Sequence, residues 1–383
     1  MTFDFDTPIP RRNTWSARWS RYGEDVLPLW VADTDFLPPE PVREAMARRV
    51  AHGILGYSIE PPELREAIVA RMQRLYGWRI APEWIVFLPG VVPGLHLAAR
   101  HLTKPEEHIL LPSPVYHHVT GAAVKAPRAH SKVPLVPQGG RWVMDEDAMA
   151  RLVQPSTRLF LLCNPQNPGG TIYTRAELER IAAFAAKHGL VLCSDEIHAD
   201  LLLDEGKPHV PIASLSPEVS RRTVTLMAPN KTFNFPGAGL GYAIIEDAAL
   251  REAFSADHHG VLHGPTVIGY DAALAAYSGA CDAWLEAQLA YLRANRDAVE
   301  AAVASIPGLS MLHTEATYLA WIDASGWGDA NPYDTLLKAG LATSPGSQFG
   351  APTFFRLNFG TQRSRLDQAI ERIRNASRRN PRG

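Results

Sequence analysis

Cysteine is scarce in this sequence, and the three residues present, Cys163, Cys193 and Cys281, are far apart with no CxxC pair. That excludes a disulfide framework and offers no zinc-ligand spacing. Long apolar runs are also missing: nothing approaches the roughly 20 residues needed to span a bilayer, and the start "MTFDFDTPIPRRNTW" has no secretory-type apolar stretch. Charge of one sign is not in excess, since 38 Lys plus Arg stand against 40 Asp plus Glu. A net charge of -2 argues against a general nucleic-acid or membrane-surface binder. The basic stretch "RIRNASRRNPRG" reads as a solvated helix end and tail. No internal repeat or low-complexity tract is visible. Cys163 and Cys193 sit inside apolar strand-like runs, so buried thiols in a reducing cytoplasm are expected.

What is present is ordinary globular material, long enough for about two domains at ~150 residues each. Amphipathic helices alternate with short apolar runs. "PPELREAIVARMQRLYG" has Leu64, Ile68, Met72 and Leu75 at helical spacing, with Gly77 where a C-terminal cap belongs. "TRAELERIAAFAAKHG" has Thr174 and Glu177 in capping-box spacing and closes at Gly189. Between such helices lie "EWIVFLPG", "HILLPSP", "RLFLLCNPQNPGG", "LVLCSDEIH", "RTVTLMAPNK" and "LGYAII". These runs are apolar throughout rather than alternating, as strands covered on both faces should be. The expected fold is therefore α/β, with a mainly parallel sheet flanked by helices. After about residue 282 the texture changes to a long helical pattern, then to strands and loops. The expected division is a large domain over 46–281 and a smaller α/β domain from 1–45 and 282–383.

Open α/β sheets bind ligands at the carboxyl ends of their strands. Three such ends carry unusual polar sequence: Asn164 to Gly170 after "LFLLC", Asp195 to His198 after "LVLCS", and Lys231 after "VTLMAPN". Turn chemistry accounts for the Pro, Asn and Gly of the first. It leaves an acid and an amine at two other strand ends unexplained. A partly desolvated lysine has a lowered pKa and forms a Schiff base with an aldehyde. A carboxylate can keep a pyridine nitrogen protonated, and an asparagine can hydrogen-bond a phenolic oxygen. "LPGVVPGLHLAARHL" offers a glycine turn opening a helix, whose free N–H groups would hold a phosphate. Together these would bind pyridoxal 5'-phosphate.

"NPQNPGG", "SDEIHADL", "NKTFNFPG" and "FFRLNFG" resemble the signature blocks of fold type I pyridoxal-phosphate enzymes, in the family's order. "RRNTWSARW", "LPLWVADTDF", "HGILGYS", "FLPGVVPGL" and "SPVYHHV" are similar to its C-S lyase branch, which includes cystathionine β-lyases related to class I/II aminotransferases. The resemblance implies a seven-stranded-type sheet and β-elimination on a β-thio-substituted amino acid such as cystathionine or a cysteine conjugate. Thiol, pyruvate and ammonia would be the products. It implies that Lys231 anchors the cofactor and acts as base, Asp195 pairs with the ring nitrogen, Asn167 contacts the ring oxygen and Tyr116 stacks on the ring. Gly90, Val91 and Val92 would hold the phosphate, and His198 could support the ring oxygen. Tyr57 would reach the phosphate of a neighbouring subunit, which implies a homodimer. Arg356 would clamp the substrate carboxylate, with Ala32, Tyr57 and Asn167 around the same substrate.

This sequence departs from commoner patterns at Asn230, Ala228, Thr34, His118 and Val119, and "GAGLGY" lacks an arginine found in many aminotransferases. The alternative activity is transamination. Dicarboxylate specificity in that class would need a second basic clamp, for which Arg11, Arg12 and Arg18 are candidates. A nicotinamide-dependent reading rests on Gly237, Gly239 and Gly241, but these run into "YAIIED" without completing G-x-G-x-x-G. "DHHGVLHG", with His258, His259 and His263, reads as an active-site loop rather than a metal site.

Overall fold

The computed structural model describes residues 3–256 and 262–378. His258 and His259, and the tail from 379 onward, lie outside the described residues. Strand β1 (Leu27–Pro28) lies near the N-terminus, and the main sheet is built from β2 (Ile85–Leu88), β3 (His108–Ser113), β4 (Ala129–Gln138), β5 (Arg141–Met144), β6 (Thr157–Cys163), β7 (Val191–Asp195), β8 (Thr223–Met227) and β9 (Gly241–Ile244). These eight strands run in the order β2-β9-β8-β7-β6-β3-β4-β5. From β8 to β4 every neighbouring pair is parallel, while β9 is antiparallel to both β2 and β8. The hairpin strand β5, antiparallel to β4, adds an eighth strand at the edge.

The apolar runs form strands because both faces are covered. In β6, Leu159, Leu161 and Cys163 enter one apolar cluster while Phe160 and Leu162 enter another. The glycine-led turn before the helix Val91–His101 packs into the first cluster through Val91 and Leu95. All three cysteines are buried and free.

Helix Arg175–Lys187 has the expected capping box between Thr174 and Glu177, and Gly189 takes a left-handed φ of 64°. Helix Pro62–Tyr76 buries Leu64, Ile68 and Met72 but leaves Leu75 41% exposed, contrary to expectation. The packed stripe continues from Met72 to Tyr76, one residue beyond Leu75, which points off it. On that face Arg71, paired with Asp200 at 2.7 Å, is buried instead.

A second, four-stranded sheet contains β10 (Ser310–Met311), β11 (Leu319–Asp323), β13 (Ser344–Pro345) and β14 (Phe354–Asn358), in the order β10-β11-β14-β13. β1 pairs in parallel with β12 (Leu341–Ala342), which joins the N-terminal segment to this part of the chain. Asn295, on helix Asp282–Ser305, donates to the carbonyls of Phe359 and Thr361 at 3.0 and 2.9 Å and so fixes the loop after β14. Among the described residues no helix is long and apolar enough to cross a membrane.

The glycine-rich segment "GAGLG" has a packing role. A Cβ on Gly241 would lie 2.9 Å from the Gly90 carbonyl carbon and 3.1 Å from the Val91 nitrogen. The turn that opens helix Val91–His101 can approach β9 only because that side chain is missing. Gly241→Ala is therefore expected to cost roughly 1–3 kcal/mol in a urea melt, as overpacking of a fixed backbone does. An unchanged melt would show that this close approach is not required.

Candidate active site

The strand order reverses between β3 and β6, and the loops leaving these two strands meet there. Gln166 Nε2 donates to the Pro114 carbonyl at 2.7 Å, and the Tyr116 amide donates to the Asn167 carbonyl at 2.8 Å. The next two strands in the same direction, β7 and β8, end at Asp195 and Met227. The asparagine loop, the acid and the lysine turn thus follow three adjacent parallel strands, all opening on one edge.

Asp195 is 3% exposed, and its carboxylate accepts from the Ile197 amide at 3.2 Å. Burial pushes its pKa up to about 7; the Ile197 hydrogen bond and the Lys231 charge pull the other way, while Glu196 adds repulsion. Lys231 donates from Nζ to the Ala32 carbonyl at 2.6 Å. Its amine is brought down to about 8, mainly by burial, with Arg356 adding repulsion and Asp33 and Asp195 opposing. An amine in this range is roughly one-tenth neutral and nucleophilic at pH 7, far more than an ordinary lysine.

Arg356, on β14, reaches the same edge. Nη1 donates to Asn167 Oδ1 at 3.0 Å, and Nη2 donates to the Trp30 carbonyl at 3.0 Å and to Ser344 Oγ at 3.2 Å. Ser344 stands opposite Arg356 in the β13–β14 register, and Ser344 Oγ donates in turn to the Trp30 carbonyl at 2.8 Å. The guanidinium lies 4.8 Å from the Phe349 ring centroid. It has no carboxylate partner among the described residues, Nε makes no hydrogen bond, and burial lowers its pKa to about 10. A buried cation oriented only by neutral groups is suited to an anion brought from outside.

Tyr116 is held beside Arg356 and Asp195, with burial pushing its hydroxyl up to about 12. His198 is buried and edge-on to Tyr318, with ring centroids 6.0 Å apart. Burial, then the charges of Lys231 and Arg356, hold it down at about 3, so the ring is neutral, and Nδ1 has no partner. Gly90 caps the helix Val91–His101 with no side-chain bond to its first N–H groups. A Cβ built on Gly90 would meet nothing nearer than Pro93 at 3.9 Å, which leaves room for a ligand against the backbone. Tyr57 is fully exposed on the loop after helix Glu40–His52 and does not join the site within one chain.

The N-terminal arginines are not a free second clamp. Arg11 pairs with Asp33 at 2.5 Å and Asp35 at 2.9 Å, and buried Arg18 pairs with Asp35 at 3.2 Å and Asp33 at 3.4 Å. Arg12 is spent on backbone carbonyls, including that of Glu24 at 2.9 Å. The carboxylates that engage two of them stand in the quoted block "VADTDF", but their partners come from ten or more residues away, which hid the pairing. Tyr318, Ser344 and the Trp30 carbonyl also went unread. They lie in apolar or turn sequence and acquire a role only through strand pairing.

The profile of the family described as "Aminotransferase class I and II" matches residues 24–373. The chain is 36% identical to "Cystathionine beta-lyase PatB" of Bacillus subtilis (strain 168), over 97% of this chain and 99% of that protein. The chain belongs to the aminotransferase class I and II family. Solved structures of similar chains include "OvoB", with TM-score 0.95 and 43% identity over 98% of this chain and 99% of that one. They also include a "PLP-bound C-S lyase from Staphylococcus hominis", with TM-score 0.92 and 28% identity over 98% of each chain. Membership of the family accords with the mixed sheet, and the strand-end residues described above all lie within the matched span.

The Arg18–Asp35 contact carries a stability prediction. Burial pushes Asp35 up, but Arg18, Thr361, Trp19 and Arg11 outweigh it, so its pKa lies below the ordinary carboxylate value. A lowered folded pKa gives stability that is present above the unfolded value and lost as pH falls through the folded one. The thermal midpoint should therefore drop as the pH is taken below about 4. Arg18→Met is expected to cost about 1.5–3 kcal/mol at pH 7, because it removes one charged partner of Asp35 while Arg11 and Arg365 remain. Denaturant melts at both pH values read this, and a variant as stable as the parent would refute it.

Proposed function

We propose that this chain is a pyridoxal-phosphate-dependent carbon–sulfur lyase acting on a β-thio-substituted L-amino acid such as cystathionine or a cysteine conjugate. The carrying observation is the convergence of a lowered lysine amine, a buried aspartate and an unpaired buried arginine at one sheet edge, in a chain 36% identical to a cystathionine β-lyase along its whole length. The net reaction takes the amino acid and water to a thiol, pyruvate and ammonia, breaking the Cβ–S bond without net oxidation.

The residues present fit the cofactor. Lys231 would hold it covalently, Asp195 would face its ring nitrogen, Asn167 and His198 would lie toward its ring oxygen, and Tyr116 would cover one ring face. Gly90, Val91 and Val92 would take the phosphate on free N–H groups. When bound, pyridoxal phosphate supplies an electron sink for charge developing at Cα. A cation against Asp195 would return that carboxyl to its ionised form, offsetting the burial that raises it. Arg356 would receive the substrate carboxylate on its planar fork, Asn167 and Ala32 would border the same substrate, and Lys231 Nζ would take the Cα proton. A base so placed typically contributes ~10²–10⁴-fold. His198, held down at about 3, is too weak a base to compete with Lys231 for that proton.

Tyr57 would complete the phosphate site of a second copy, which makes a homodimer part of this reading; its full exposure supports that role. Division into 46–281 and 1–45 with 282–383 is supported by the two separate sheets and the β1–β12 pairing, although helix Glu40–His52 runs across the boundary. Three free thiols support a cytoplasmic setting.

Incubation with cystathionine should release pyruvate stoichiometrically with thiol, and Lys231→Ala should abolish this. Arg356→Ala should lower kcat/KM by roughly a hundredfold or more, the equivalent of losing two charge-assisted hydrogen bonds. Full amino transfer to a keto acid with no pyruvate from cystathionine would replace the lyase reading with transamination.

A further inference from the structure

The lysine turn and the segment facing it are joined by a side chain that has no place in the chemistry above. Lys231 Nζ ends on the Ala32 carbonyl at 2.6 Å, and the Tyr318 hydroxyl donates to that same oxygen at 3.0 Å. Ala32 lies outside any helix or strand, in a segment suspended by side chains. Asn358 Nδ2 donates to the carbonyls on either side of it, Val31 at 2.5 Å and Asp33 at 2.6 Å. From the lysine side, Asn234 Oδ1 accepts from the Thr34 amide at 3.1 Å, while Nδ2 donates to the Thr34 carbonyl at 3.0 Å and to the Phe36 carbonyl at 2.6 Å. One side chain thus meets both peptide groups of Thr34, as a neighbouring strand would. Asn234 does so from a left-handed φ of 54°, which asparagine tolerates better than most residues.

The turn's other side-chain bonds lead elsewhere. Asn230 Nδ2 donates to the Leu240 carbonyl at 3.2 Å, Thr232 Oγ1 to Asp200 at 3.0 Å, and Gln288 Nε2 to the Thr232 carbonyl at 3.1 Å. Among the described residues, Asn234 is the turn's hydrogen-bonded link to the Ala32 segment apart from Lys231 itself.

We infer that Asn234 is a positioning residue for the Lys231 amine, tying the lysine turn to Thr34 and Phe36 so that the Ala32 carbonyl stays within reach of Nζ. The inference rests on the proposed role of Lys231 as cofactor anchor. A carbonyl acceptor favours the charged ammonium, so releasing it makes the proton easier to lose. Of the other groups acting on this amine, Asp195, Arg356 and the neighbouring His198 and Tyr318 make no bond to Asn234, while Asp33 belongs to the tied segment and its loosening would lower the midpoint in the same direction.

The test uses the full chain stripped of cofactor, with the rate of visible-band formation on adding pyridoxal phosphate followed across pH. The parent's midpoint should lie at about 8. Asn234→Ala removes all three bonds but strains a left-handed position, so Asn234→Gly, which removes them without that strain, is measured beside it. Both should lower the midpoint by about one pH unit, the scale of one lost charge-assisted hydrogen bond. A merely structural role would lower the thermal midpoint and leave the pH midpoint in place, and that result in either folded variant overturns the inference. A parent that forms no visible band overturns the cofactor reading instead. If neither variant folds, hydrogen exchange of the Asn234 side-chain amide in the parent decides: protected protons support the tie, and rapid exchange overturns it.

Discussion

Three charged side chains, Lys231, Asp195 and Arg356, are held at one sheet edge, and none has an ion-pair partner among the described residues. That is the costly arrangement in this molecule, because a charge out of water without a countercharge is strongly disfavoured. Elsewhere the chain avoids it. Buried Arg18 meets Asp35 and Asp33, and buried Arg71 meets Asp200. Arg356 meets a carbonyl, an amide oxygen and a hydroxyl, which orient the guanidinium without neutralising it. Lys231 has a carbonyl and Asp195 a backbone amide. Neutral dipoles hold each group in place and leave its charge for a ligand.

The rest of the fold serves to keep these groups close. Parallel strands β6, β7 and β8 lie side by side, so their carboxyl ends present the asparagine loop, the acid and the lysine turn in register. Arg356 comes from the other sheet, where its neighbours across the strands are Trp321 and Ser344. The segment from Trp30 to Phe36 connects the two, since its carbonyls receive Arg356, Asn358, Lys231 and Asn234. That segment is in turn fastened by the Arg11, Arg18, Asp33 and Asp35 cluster. A cluster of charges, one of which (Asp33) also acts on the Lys231 amine, thereby sets the position of an oxygen that touches the lysine.

Much of the scaffold was legible in order along the chain. Apolar runs without alternation mark strands covered twice, and β6 sends alternate residues into two clusters. The Thr174 capping box and the glycine-led helix at Val91 are local events, written by neighbouring residues. Strand-end polar residues were legible because ligands collect there in open α/β sheets. Leu75 was misread because helical spacing from Met72 allows either i+3 or i+4, and the packing takes Tyr76 at i+4. Arg11, Arg12 and Arg18 looked available for substrate because their partners are contributed by a separate turn of the same segment.

The sequence by itself therefore determined the strands, helices, turns and identities of the reactive groups, all of which depend on residues within a few positions of one another. The tertiary structure alone decided which charges remain uncompensated, which carbonyl receives the Lys231 amine and why Gly241 carries no side chain. Those outcomes depend on distances between segments hundreds of residues apart, such as Thr34 and Asn234 or Trp30 and Arg356. Local pattern has no term for such pairs, whereas burial and hydrogen-bond satisfaction act only once they have met.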